Sequence, residues 1–560
     1  MIFPFPARHC SSRCPFPHSV NDPPVRKALS AHLSVPAVFG MIAMGIFSYS
    51  PAFGEEKGAD AQVSQLKVAA KRFGILPENV LKGNTAKLTK KATVSGPLKV
   101  TVTVLDDGRT RLCVICLDWV KIPRNVSLLL RRNLGAELSI PAEQVVFFTS
   151  HNHSDVSLVT AESGGFEWGM PPYEGPEGTL DDVGQELLNK LLTTVRTLSQ
   201  ELQPVTVWWA VGHEDRITYN RKGRRADGST FFMREEERLL QGTDYRGDID
   251  TQAPVVVFKN LQGKPVAAWV QFTGHPVTSF HPEYPVVHGD YPSVACDVLG
   301  QHLGHEQAGG EEVPVGFMQG CAGDVNSKEM FRGGVKRAVE FGEMLGQSYI
   351  QALPQLKRST RDGLDFSGII AELPLADLPD EQTLVRELEE IDDFIRRAQA
   401  GDENTTSCVG LNFPHDLSPA FRAGLVERIR YWTAWALEHR RAGDSVQLPP
   451  VMPIDMWMFR VGDVGIVGMP CEPFLGIGRE MRAESPLPLT IPCGYTNYTI
   501  GYIPDGPNVG DAEYMSSFHR YTASPDKSIR PRPPYAIPGG SAMAREAVRV
   551  LGEMLDKENR

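Results

Sequence analysis

Two imidazoles two residues apart, His151 and His153, stand where an apolar run breaks off. The run is Gln144-Val145-Val146-Phe147-Phe148, β-branched and aromatic without a charge, which reads as a buried strand. Histidines at i and i+2 beyond a strand end enter one cleft if the backbone bends there, and imidazole nitrogen is the commonest metal ligand in proteins. The competing reading is one structural histidine and one surface histidine. Two further strand-like runs end in polar, glycine-bearing loops. Pro265 to Phe272 leads into Thr273-Gly274-His275-Pro276, and Val313 to Met318 leads into Gly320-Cys321-Ala322-Gly323-Asp324-Val325-Asn326. Strand ends gathered in this way are where α/β-type folds assemble an active site.

The elements that must position these loops show in the hydrophobic pattern. Leu98 to Leu105 alternates, Asp106-Asp107-Gly108 turns, and Arg111 to Trp119 returns, a hairpin. Cys113 and Cys116 lie inside its second strand on opposite faces, which makes them core packing rather than a metal pair. A helix is expected near Val126 to Leu134, and Leu187, Leu191, Val195 and Leu198 mark the face of another. Val205 to Val211 reads as a strand, and Pro254 to Phe258 with Pro265 to Phe272 as a second hairpin. Val63 to Phe73 reads as helix-like. Leu384, Leu388, Ile391 and Ile395 define one amphipathic helix; Ser418 as N-cap and Pro419 at the first helical position open a second. Met456 to Val461 and Val464 to Met469 form a further hairpin leading to Pro470-Cys471-Glu472. A last helix spans Ala542 to Leu555.

The chain has 560 residues, a net charge of −11 and a pI of about 5.8, so its charge gives no reason to expect a nucleic-acid partner. No internal apolar run reaches transmembrane length. At the amino terminus, Arg26-Lys27 precede the mostly apolar Val35 to Phe47, then Ala52 and Gly54 precede Glu55-Glu56. That is the order of a secretory signal cut after Gly54. Export to a periplasmic or extracellular space is expected, with an uncleaved membrane anchor as the alternative. The seven cysteines after this leader are scattered and odd in number, which excludes a disulfide scaffold.

Four stretches together resemble the neutral (alkaline, non-lysosomal) ceramidase family, zinc-dependent amidases that cleave the N-acyl bond of ceramide. The resemblance runs from about Gly96 to Tyr514. Ser150-His151-Asn152-His153-Ser154 is similar to the family's Thr-His-Thr-His-Ser. Phe272-Thr273-Gly274-His275-Pro276 resembles Phe-x-x-His-Pro, Pro470-Cys471-Glu472 its Pro-Gly-Glu, and Asn497 to Tyr502 its Asn-x-Tyr-x-x-Tyr. The resemblance implies Zn²⁺ held by His151, His275, Glu472 and Tyr502, with His153 facing the substrate. It also implies Arg221, in the pair Asn220-Arg221, as the active-site arginine and Tyr514 as a substrate-pocket tyrosine. The implied fold is α+β or α/β: a ceramidase-like catalytic domain of mixed sheets with flanking helices. Expected boundaries are 1–54 for the leader, 55–95 for a polar segment, 96–375 and 446–560 for the two parts of the catalytic domain, and 376–445 for an inserted helical hairpin. No immunoglobulin-like carboxy-terminal domain is expected.

Asn326 stands where the family carries a serine. Asparagine donates and accepts hydrogen bonds but is no nucleophile; Ser327 would replace the serine only if the loop shifted by one residue. Two imidazoles and a carboxylate suffice for a zinc-activated water, and Arg221 with a tyrosine hydroxyl could stabilise an oxyanion. Asp118, at a strand end, either orients a ligand imidazole or serves as a cap or salt-bridge partner. His288 could line the pocket, whereas His213 and His519 read as exposed or structural. The expected activity is zinc-dependent hydrolysis of a small-molecule or lipid amide, the latter allowing peripheral membrane contact. The alternatives are an esterase on the same scaffold and a catalytically silent lipid- or glycan-binding relative. Nothing in the sequence specifies the oligomeric state.

Overall fold

In the computed structural model the described residues are 66–76, 92–155, 168–171, 178–281, 284–305, 310–413, 415, 417–443, 448–525 and 529–558. The expected signal segment lies outside them. The apolar runs build one large sheet from β1 (Lys67–Gly74), β2 (Lys99–Asp106), β3 (Arg111–Leu117), β4 (Val145–Thr149), β5 (Gln203–His213), β6 (Gln252–Asn260), β7 (Pro265–Phe272) and β8 (Val315–Gln319). Their order is β8-β7-β6-β5-β1-β2-β3-β4, with Lys357–Arg358 adding to β5. The pairs β7/β8 and β3/β4 are parallel and the others antiparallel. The sheet curls until its ends meet: the Thr101 hydroxyl donates to the Val315 carbonyl at 2.7 Å, and Trp269 Nε1 donates to Thr103 Oγ1 at 3.2 Å.

Both faces are covered, so β4 and β8 are apolar without alternation, as strands buried on both sides must be. Helices α1 (Arg124–Leu138) and α2 (Asp182–Gln200) pack Leu130, Leu134, Leu187 and Leu191 onto Val102, Ile115 and Phe147. Helices α3 (Asp290–His305) and α4 (Gly334–Ala352) cover β5 to β8. On the inner face a second sheet, β9 (Leu364–Pro374), β10 (Val451–Val461), β11 (Val464–Gly468) and β12 (Leu489–Cys493), sets Phe459, Ile466 and Ile491 against Cys116, Phe148 and Trp269. Phe147 and Phe148 therefore face different cores. Each fully buried phenylalanine contributes about 2–3 kcal/mol, which anchors β4 and the loop it carries. Cys113 and Cys116 also divide between the two cores, and the seven described cysteines are all buried and free.

Beyond the second sheet lie α7 (Leu475–Glu484) and α8 (Ser541–Glu558), numbered after the helical pair α5 (Glu381–Gln399) and α6 (Pro419–Ala442). Asp380 caps α5 through the Thr383 N–H, and Ser418 caps α6 through the Phe421 N–H with Pro419 at the first position. Trp432 on α6 donates its indole N–H to the Arg532 carbonyl, fixing the pair to the rest of the molecule. One expectation fails here. Of the helix-like Val63 to Phe73, the described part from Lys67 on is strand β1, in register Val68↔Leu105 and Ala70↔Thr103. Ala69 and Ala70 favour a helix locally, but pairing with β2 inside a sheet overrides that preference. Among the described residues no helix is long and apolar enough to cross a membrane.

Candidate metal centre

Strand β4 ends at Thr149, and the bend the two histidines require is made by His151 itself, whose φ is +60°. Non-glycine residues hold that conformation only where the surroundings enforce it. His151 Nδ1 donates to the Val120 carbonyl at 2.7 Å, which turns the Nε2 lone pair inward. His153 Nε2 lies 3.2 Å from His151 Nε2, and Phe280 packs on its ring at 5.3 Å. Between them, Asn152 is fully buried; its Nδ2 donates to the His288 carbonyl and its Oδ1 accepts from the Ser154 N–H.

The loop after β7 brings the third histidine. His275 Nδ1 donates to the Ala322 carbonyl at 2.7 Å, so its Nε2 also faces inward, 3.0 Å from Glu472 Oε2. The same carboxylate oxygen is 3.4 Å from His151 Nε2. Gln319, the last residue of β8, ties the two histidine loops together: its Nε2 donates to the Ser150 and Gly274 carbonyls at 3.0 and 2.8 Å. Glu472 and Tyr502 are paired on two short parallel strands, Glu472–Pro473 and Tyr502–Ile503. Arg221, buried, donates Nη2 to the Tyr502 hydroxyl at 2.9 Å and to the Gly323 carbonyl at 2.6 Å. Its Nη1 donates to Asn326 Oδ1 at 3.0 Å. Tyr514 is half-buried with its ring 5.2 Å from that of Tyr502.

The structure thus brings together His151, His153, His275, Glu472, Tyr502, Arg221, Asn326 and Tyr514. Burial and the Arg221 guanidinium push His275 down to about 3, and burial with the neighbouring imidazoles and guanidinium holds His153 well below its usual value. Against the opposing effect of burial, His151 and His275 hold the Glu472 carboxyl well below the carboxylate range. Burial raises Tyr502, and Arg221 pulls it back. Imidazole nitrogens of His151 and His275 thus converge on the Glu472 carboxylate, with Arg221 Nη2 3.2 Å from His275 Nε2. The three imidazoles place one nitrogen each within 4.8 Å of one another. Acceptors aimed at each other repel unless a cation lies between them, and His153 Nδ1 is buried without a partner among the described residues. The donor set, imidazole nitrogen with carboxylate oxygen, fits a zinc ion.

Other candidates go elsewhere. Ser327 faces away from the centre: its hydroxyl accepts from Thr278 Oγ1 at 2.8 Å and from the Val277 N–H at 3.2 Å, so it does not take the place of a nucleophile. Asp118 accepts from the Lys99 N–H and touches no ligand imidazole, because His151 Nδ1 is already bound to Val120. His288 accepts the Asp290 N–H at Nδ1; His213 is exposed, and His519 is buried against Trp432.

No protein-family model matches this chain, and no curated protein matches it. Solved structures do. A crystal structure of neutral ceramidase from Pseudomonas aeruginosa aligns with a TM-score of 0.54 at 16% identity, covering 88% of this chain and 75% of that one. This chain has the ceramidase fold. A ceramidase complexed with C2 aligns with the same TM-score and identity, over 88% of this chain and 76% of that one. At this identity the shared property is the fold, α+β with mixed sheets. Sequence reasoning had not singled out Gln319, Phe280 or Tyr495, although each adjoins a histidine loop or the Asn497–Tyr502 stretch. The signal for Gln319 was a lone polar residue closing an apolar strand ahead of Gly320.

Proposed function

We propose that this protein is a zinc-dependent hydrolase of linear N-acyl amides, with His151, His275, Glu472 and Tyr502 holding the metal. The observation that carries the reading is that His151 Nε2 and His275 Nε2 lie 3.4 and 3.0 Å from the one Glu472 Oε2, beside a buried arginine. Bound there, zinc supplies an acidified water and polarises the substrate carbonyl. The chain's own residues do the rest. Val120 and Ala322 fix the tautomers of the two ligand histidines. His153, kept neutral, accepts a proton at Nε2 and returns it to the departing amine. Arg221 and Tyr514 stabilise the negative charge that develops on the carbonyl oxygen.

Asn326 supports this division of labour. It is fully buried, and its Oδ1 holds Arg221 while its Nδ2 contacts Met330 Sδ at 3.3 Å, so it orients the guanidinium instead of attacking substrate. Export through the amino-terminal segment, and contact with a membrane surface when the amide is a lipid, belong to the same proposal. Its test is a panel of N-acyl amides and matched esters, run as purified, after chelation, and after zinc is restored. Hydrolysis lost on chelation and regained with zinc supports the reading. Full activity in excess chelator, or none on any acyl substrate by zinc-replete protein, overturns it.

A further inference from the structure

Tyr495 follows β12 and Gly494, and its ring stacks on His151 with centroids 4.0 Å apart and planes at 28°. The same ring meets His275 edge-on at 5.9 Å. Its backbone is tied at both sides: the N–H donates to the Cys471 carbonyl at 2.9 Å, and the carbonyl accepts from Thr149 Oγ1 at 3.1 Å. Its φ is +55°, a conformation tyrosine adopts only when the surroundings impose it. The fold therefore sets this ring against the histidine through a strained backbone. Yet the hydroxyl at its end is buried and has no hydrogen-bond partner among the described residues. Buried tyrosine hydroxyls are normally satisfied. Besides burial, Glu472, Tyr502 and Arg221, walls of one centre, act on it, as does Cys471.

We propose that Tyr495 is a further catalytic residue: its hydroxyl donates a hydrogen bond to an anionic oxygen seated between His151, Glu472 and Tyr502, while its ring fixes the plane of His151. This rests on the metal-hydrolase reading above. The ligand class is a small oxyanion of carboxylate or hydroxamate type, the charge pattern an amide carbonyl acquires when water adds to it.

The test is calorimetric binding of acetohydroxamate to zinc-loaded wild type and to Tyr495→Phe, with zinc affinity measured in parallel by chelator competition. Tyr495→Phe keeps the stacked ring, so zinc affinity should stay within about threefold while acetohydroxamate binds at least about tenfold more weakly, the loss of one hydrogen bond to a charged group. Equal acetohydroxamate affinity in both proteins overturns the assignment of Tyr495 and leaves the metal reading intact. A wild type that takes zinc but no acetohydroxamate removes the anion position and overturns the assignment as well. A wild type that takes no zinc overturns both. Should Tyr495→Phe not accumulate as folded protein, 3-fluorotyrosine at position 495 reports the same contact. A fluorine shift on adding acetohydroxamate supports it, and an unchanged signal overturns it.

Discussion

Two clusters of charged and titratable groups, one half-buried and one buried, are built on opposite plans. One joins Arg72 of β1 to Asp297 and Glu312, with Lys99 reaching Asp297 at 2.6 Å and Asp118 close by. There each charge meets its opposite, and Arg72 Nη2 also donates to the Ser293 carbonyl at 3.1 Å. Although burial opposes it, Cys296, Asp297 and Asp118 hold the Arg72 guanidinium above its usual range. The other cluster gathers three imidazole nitrogens and a carboxylate oxygen and, among the described residues, leaves the His153 Nδ1 and Tyr495 hydroxyl without a hydrogen-bond partner. The first is complete within the chain and serves the fold. The second has the donor set to take up a cation, which makes it the candidate functional site.

Substitutions should separate the two. The largest effect is expected for Glu472→Gln, which removes a proposed ligand. Zinc affinity should fall by more than about 100-fold, beyond the 10–100-fold that loss of an outer partner costs, with turnover lost alongside; chelator competition and kcat measure this. Arg221→Lys should keep zinc but lower kcat by about 10²–10³-fold, as removal of one oxyanion donor does. Wild-type kcat with lysine would remove Arg221 from the chemistry. Asp297→Asn should do the reverse, costing about 2 kcal/mol of stability in denaturant titration as charged hydrogen bonds are lost, with zinc content unchanged. A drop in zinc there would erase the contrast between the clusters.

The pH response should also sharpen it. Folded His275 refuses a proton until about pH 3, whereas the unfolded residue takes one near 6.5, so the metal-free protein should lose stability as pH falls through that window. Glu472, held below its usual value, adds loss in the same direction below about pH 4.5. Thermal melts of metal-free wild type and His275→Gln across that range measure this, and the variant should show the shallower fall. The smallest effect is expected for Asp118→Asn, which should leave zinc content and kcat unchanged, since Asp118 belongs to the Arg72 cluster.

The sequence shows one of these clusters well and the other hardly at all. His151 and His275 could be found because each follows an apolar strand and interrupts a strong pattern, whereas Glu472 and Tyr502 were reached only through the resemblance of Pro470-Cys471-Glu472 and Asn497 to Tyr502 to family patterns. The hairpins were legible in the hydrophobic pattern, and so were α5, by its apolar face, and α6, by its Ser418 cap and apolar face. Strand β1 was not: Ala69 and Ala70 carry a helical preference, and only pairing with β2 makes them a strand. Helices α3 and α4 were missed because small residues such as Gly300, Gly304, Gly342 and Gly346 let them pack closely. Val298 comes within 2.7 Å of where a Cβ on Gly346 would stand, so glycine marks contact there rather than a break. Asp118 was ambiguous because its partner Arg72 lies on a strand the pattern concealed. Tyr495 was hidden because its meaning depends on a positive φ that no spacing rule shows.

The central claim is that the His151–His275–Glu472 centre holds zinc. Elemental analysis of purified protein beside a His151→Ala/His275→Ala double variant tests it most directly. The account predicts about one zinc per wild-type chain and none in the folded double variant. A correctly folded wild type without zinc after zinc-replete preparation, or a double variant that retains it, would contradict the account.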